Sequence, residues 1–262
     1  MKVSKILTTR MARRYHQQGL TLIELLVVLV ILIALAGILI PQLPSMLVRT
    51  HAAAGSTNIP EVNKRIQEFE QLYFQQPSLL DNLVASGGAV LVDYLPNEGG
   101  AAGGELIPLA LTAPQAAALT GAGINTLSAL LATAPANATF DPYDGVTTIA
   151  PAAAVSVASV TQAAVQRTLR PGSVVGDVFV AFGVGQRSEM IGRTISEAPY
   201  HFGEGSGDTP DAVYSRFIAV YKVEDATDGA LERAEFVGVL SIHPDRVGNA
   251  TDHVNEFFEN DL

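Results

Sequence analysis

One carboxylate in this sequence stands where a carboxylate is expensive. Glu24 is the fourth residue of Thr21–Ile40, TLIELLVVLVILIALAGILI, and no other charged residue occurs in that run. An ionised acid in apolar surroundings costs several kcal/mol unless something meets its charge. No Lys or Arg lies within four residues of it on a helix. The chemistry open to Glu24 is therefore pairing, in one of two ways. Either it sits shallow in a membrane and reaches the headgroups, or its partner belongs to another chain.

Other residue types with chemical potential are arranged less tellingly. The stretch Glu204-Gly205-Ser206-Gly207-Asp208-Thr209-Pro210-Asp211 puts Glu204, Asp208 and Asp211 on a glycine-bearing loop. Such oxygens can hold calcium, though the spacing is not that of an EF-hand, and a solvated loop explains them too. Asp225 and Asp228 before Gly229 have the same standing. Gly183-Val184-Gly185 has Ser188 where a dinucleotide loop needs its third glycine, so a strand ending in a glycine turn is the better reading. His16, His51, His201, His243 and His253 form no zinc-binding pair. Gly205-Ser206-Gly207 lacks the spacing of a serine nucleophile. No catalytic constellation emerges, no metal site is assigned beyond the calcium candidates, and the chain is read as a non-enzyme.

The elements around Glu24 say more. From Leu20 to Ile40 the run makes a helix of about 30 Å, the thickness of a bilayer core. Residues 1–19 hold five of the 16 Lys and Arg and no acid, which places them on the cytoplasmic side and the rest beyond the membrane. The remainder then sets 11 bases against 26 acids, near −15, in a chain of net charge −10. That excess repels phosphates, so nucleic acid is not expected as a partner of the head. Gly37 and Pro41 mark a bend: Pro41 cannot donate to the Gly37 carbonyl, and glycine is a weak helix former. A plain helix end at the membrane surface is the alternative. The absence of Cys excludes disulfides and thiolate metal sites.

Gly19-Leu20-Thr21-Leu22-Ile23-Glu24-Leu25-Leu26, with Pro41 downstream, resembles the class III signal of type IV pilins and type II secretion pseudopilins. The likeness covers about the first fifth of the chain. It implies that a prepilin peptidase cuts after Gly19 on the cytoplasmic face and that Leu20, where Phe is commoner in the family, becomes an N-methylated terminus. It implies too that Glu24 meets the terminal amine of a neighbouring subunit, setting axial register while apolar side chains supply the attraction. Its partners would be sister subunits, the peptidase, an inner-membrane assembly platform and the bilayer. Its fold would be α+β.

The domain reading follows: a basic leader over 1–19, a transmembrane and assembly helix with its stem over 20–76, and an acidic globular head over 77–262. In the stem a break near 55–60 is expected, with Asn58 and Glu61 forming a capping box for a fresh helix carrying Ile66, Phe69, Leu72 and Tyr73. In the head, Ala89–Leu95 reads as a strand, and Pro114–Leu119 and Ile124–Leu131 read as helices. Val178–Val184, Phe217–Val223 and Phe236–Ile242 are β-branched and aromatic runs that predict an antiparallel sheet packed on the stem. The function expected is that of a filament subunit. A membrane-anchored binding or adhesion module with the same anchor is the alternative.

Overall fold

The computed structural model describes residues 21–40, 43–85, 87–91, 93–95, 98, 104–133, 142–152, 154–169, 172–200 and 214–242. The chain divides into two compact units, Met1–Met46 and Leu47–Leu262.

The first unit holds α1 (Leu22–Leu39), 18 residues capped by Thr21. It is apolar on every side. From Leu22 to Ile38 no large apolar side chain of the helix is less than 49% exposed. Among the described residues of its unit nothing buries this helix, and a helix apolar all round belongs inside something else. The expected 21-residue span is shorter here: α1 covers 18 residues against the ~20 a bilayer core requires. Among the described residues no helix is long and apolar enough to cross a membrane. Gly37 lies within α1, whereas Pro41, the other half of the expected bend, lies outside the described residues.

Helix α2 (Leu43–Tyr73) runs unbroken through residues 55–60, with Pro60 inside it. The expected break and capping box are therefore absent. Glu61 ion-pairs with Arg65 at 2.7 Å, and Arg65 also holds Glu68 at 2.9 Å. A proline removes one backbone bond, and the packing of the following turns outweighs that loss. Val62, Ile66 and Phe69 are buried, while Leu72 and Tyr73 of the expected stripe are exposed. The helix ends on Phe74, whose φ of 57° is left-handed.

The strands are β1 (Leu80–Asn82), β2 (Leu106–Ala110), β3 (Thr126–Leu130), β4 (Tyr143–Thr148), β5 (Ser156–Val160), β6 (Val178–Gly183), β7 (Ile218–Asp225) and β8 (Gly229–Leu240). Helices α3 (Ala113–Gly121) and α4 (Gln162–Thr168) lie between them in sequence. All eight strands belong to one branched sheet with β6 at the fork. One edge of β6 pairs along its length with β7, which pairs with β8. The other edge is shared: Val180 and Ala181 pair with β5, and Phe182 and Gly183 with β1. From there one arm continues to β2 and the other to β3 and β4.

The sheet is mixed rather than purely antiparallel, because β1 and β3 run parallel. Residues 126–130 form a strand and not the expected helix. Flanked by β1 and β4, with Leu127 and Ser128 buried, β3 is an interior strand whose apolar run carries no helical period. Among the described residues of 89–95 there is no strand. They make one bridge, Val90 to Val84, and a turn in which the Leu95 amide donates to the Leu91 carbonyl. The three C-terminal strands stand where expected, with β8 beginning earlier, at Gly229.

Alternation along β6 and β7 makes two cores. Val180, Phe182, Tyr221 and Val223 face α2 and α3 through Ile66, Phe69 and Leu119. Phe179, Ala181, Ile218 and Val220 face Leu83, Leu91, Tyr94 and Val165 of α4. Neither face of the central strands is solvated, which explains their continuous apolar sequences.

Candidate functional site

Thr21 and Glu24 form a closed polar unit at the start of α1. The Thr21 side chain caps the helix by accepting from the Glu24 amide at 3.3 Å, and Glu24 Oε2 accepts from the Thr21 amide at 2.7 Å and from its hydroxyl at 2.8 Å. This is a reciprocal capping box. It also sets a negative charge against the partial positive charge of a helix N-terminus. Glu24 is thus held in place by its own chain, a role that the search for a distant cation overlooked. The signal was in the sequence: Thr-x-x-Glu before an apolar run is the capping-box signature. Both contacts that the Glu24 carboxylate makes to Thr21 fall on Oε2, so the other oxygen has room for a further donor. Gly19 and Leu20, the expected processing residues, lie outside the described residues.

The head places the other candidates as follows. Gly183 and Gly185 are packing glycines. A Cβ on Gly183 would lie 1.4 Å from the Tyr214 hydroxyl, and one on Gly185 would lie 2.1 Å from the Asp81 carboxylate. The pattern that mimics a phosphate loop leaves room for Tyr214 to donate to Asp81 Oδ2 at 2.8 Å. Tyr143 and Arg216 adjoin this pair, and the Gln186 amide donates to the Tyr143 hydroxyl at 2.9 Å. Burial, reinforced by the Asp81 charge, drives the hydroxyls of Tyr143 and Tyr214 well above the ordinary tyrosine range, so both stay protonated. The space between these residues holds no volume for a water-sized guest. The cluster ties β1, β4 and the approach to β7 together.

Asp225 and Asp228 bracket the β7–β8 hairpin. Asp225 accepts from Lys222 Nζ at 2.5 Å and from the Thr227 amide at 2.9 Å, so a lysine occupies the place that calcium would need. Glu204, Asp208 and Asp211 lie outside the described residues, as do His16, His201, His243 and His253. Among the described residues no three His, Cys, Asp or Glu side chains gather as metal ligands. Glu98 is a buried acid that sequence reasoning passed over. It accepts from the amides of Glu105 and Leu106, and burial pushes its carboxyl above the usual range. An open groove of about 670 Å³ runs beside β8 between Glu70, Leu169 and Arg233–Val237, crossed by the Glu70–Arg233 ion pair at 3.0 Å.

No curated protein and no solved structure matches the chain. A family model does match at residues 14–40, the segment that contains Thr21, Glu24 and the whole apolar run, and its description is the prokaryotic N-terminal methylation motif. The chain carries the class III prepilin signal of type IV pilins and pseudopilins.

Proposed function

We propose that this chain is the precursor of a structural subunit of a type IV pilus-like or type II secretion filament. A prepilin peptidase cuts between Gly19 and Leu20, the apolar helix holds the subunit in the inner membrane, and the same helix packs against sister helices on assembly. The observation that carries this reading is α1 itself, exposed and apolar on all sides with one acid fixed in its first turn. Covering thirteen half-exposed aliphatic side chains is worth on the order of 10 kcal/mol or more, in lipid or among other helices. The two settings differ in what they offer Glu24. Cleavage creates a cationic α-amine on Leu20, and the neighbour's amine can reach the carboxylate oxygen that Thr21 leaves available. A buried ion pair of this kind adds register more than stability. The acidic head faces away from the cytoplasm, and no catalysis is assigned to it.

The test is Glu24→Leu in cells that make the filament. The variant should still enter the membrane fraction, since the helix becomes more apolar, but should be missing from sheared filaments. Incorporation at the parent level would overturn the role given to Glu24.

A further inference from the structure

Beyond residue 40, the described residues expose large apolar side chains singly at Ile107, Val146 and Tyr200, and in contiguous sets at two places, Leu72–Phe74 and Val174–Val175. The first set closes α2. Phe74 is 82% exposed and holds a left-handed φ of 57°, which strains any residue that bears a Cβ. Its turn is fixed: its amide donates to the Glu70 carbonyl at 2.8 Å, and its carbonyl accepts from Arg233 at 3.3 Å. Glycine would take this conformation without strain, so a ring kept there serves something outside the free head. Beside it the Arg193 guanidinium lies 5.0 Å from the centre of the Tyr73 ring and 5.8 Å from that of Phe69. Arg193 is exposed, and among the described residues no carboxylate pairs with it. An arginine on a rigid aromatic base, without a counter-charge, has the make-up of an interface anchor.

The second set has the opposite charge. Val174 and Val175, the latter 83% exposed, stand on a loop of residues 172–177 that leads into β6 and abuts the β7–β8 hairpin. The Asp177 carboxylate accepts from the amides of Val174 at 3.2 Å and Ala226 at 3.0 Å and pairs with Lys222 at 3.1 Å, so loop and hairpin make one fixed surface. Residues 172–178 and 222–229 hold four acids, Asp177, Glu224, Asp225 and Asp228, against Lys222 alone. Lys222 serves Asp177 and Asp225, and Gln115 donates to Glu224 at 2.6 Å. Asp228 stays exposed at the hairpin turn, and among the described residues no cation pairs with it.

We infer that these two surfaces meet between copies, the aromatic turn and Arg193 of one head docking on the valine loop and Asp228 of the next; the inference rests on the filament-subunit reading. Charge selects this pairing. Outside residues 1–19, 26 acids face 11 bases, so most approaches of one head to another repel. Arg193 against Asp228 is an approach that attracts, and it brings the two exposed apolar sets together. The surfaces are unlike, so the contact is heterologous and can repeat from copy to copy. Five side chains fall well short of the ~800 Å² per partner that a stable complex buries. Free heads therefore stay apart, and the contact forms where neighbouring α1 helices already hold the copies at high effective concentration.

Charge exchange in the full-length chain tests this, read as the share of each variant in sheared filaments relative to the membrane fraction. Arg193→Glu and Asp228→Arg should each lower that share by about tenfold, because each sets like charges face to face. The double variant, Arg193→Glu with Asp228→Arg, restores the attraction with the signs exchanged and should return close to the parent level. Phe74→Gly separates docking from folding. Its head should melt no lower than the parent's, while its share in filaments falls several-fold. Single reversals incorporated like the parent, or a double variant no better than the singles, would overturn the inference and leave the filament reading intact. Parental incorporation of Phe74→Gly would overturn it as well. If the parent chain makes no filament at all, both readings fall.

Discussion

Lys222→Met should unseat the loop that carries the two valines. The Lys222 side chain is 8% exposed and its partner Asp177 3%, so removing the ammonium strands a buried carboxylate. The second partner, Asp225, keeps 29% exposure and can turn to water. The expected cost is about 3 kcal/mol, the low end for breaking a buried pair from one side. For a unit of this size that lowers the melting temperature by about 6–12 °C. Thermal unfolding followed by circular dichroism reads it directly. Adding Asp177→Leu should recover much of the loss, because the stranded charge is then gone. Acid titration gives an independent check. Burial opposes the charge on Asp177, but the amides of Ala226 and Val174 and the Lys222 ammonium outweigh it and hold the carboxyl below its usual range. Asp225 is drawn down to about 2 by the bond from Lys222 and then by the Thr227 amide. Both folded values lie below those of the unfolded chain. Their contribution is therefore complete above about pH 4 and drains away as the pH falls toward 2. In Lys222→Met the loss of stability between pH 6 and pH 3 should be shallower than in the parent. A melting temperature within 1 °C of the parent, with an unchanged acid profile, would mean that the Asp177–Lys222 pair does not hold this loop.

Gly183→Ala should push the Tyr214 ring off the Asp81 carboxylate, since the new methyl falls on the hydroxyl. Overpacking together with loss of the Tyr214 bond to a buried acid costs about 2–4 kcal/mol, measurable as a shift in the urea midpoint. Tolerance of alanine there would return Gly183 to consideration as part of a binding turn. Phe74→Gly should act in the other direction: the residue is 82% exposed and left-handed, so relief of backbone strain stabilises the head by about 1 kcal/mol. A loss of stability would mean that the exposed ring has a partner within the chain.

The sequence was most legible where side-chain type and environment agree. Val178–Val184 and Phe217–Val223 are β-branched and aromatic, and they became central strands buried on both faces. The second strand was hidden by Pro108, which survives because β2 is an edge strand paired only with β5. Strand β5, Ser-Val-Ala-Ser-Val, is too small in its side chains to announce itself. Residues 124–131 are short and apolar, and such a run fits a helix or a strand until its neighbours are known. At the stem, the residues that suggest a capping box at Asn58–Glu61 were real polar residues in the wrong context, since Arg65 claims Glu61. The same signature operated unnoticed at Thr21–Glu24, where the cost of a charge among apolar residues drew attention away from the helix end beside it.

Cleavage after Gly19 would give Glu24 a new amine, on Leu20, to meet. Mass spectrometry of the N-terminal peptide, taken from the chain extracted from membranes, tests it most directly. The expected peptide begins at Leu20 and carries one added methyl group. A membrane-extracted chain that still bears residues 1–19 would contradict it.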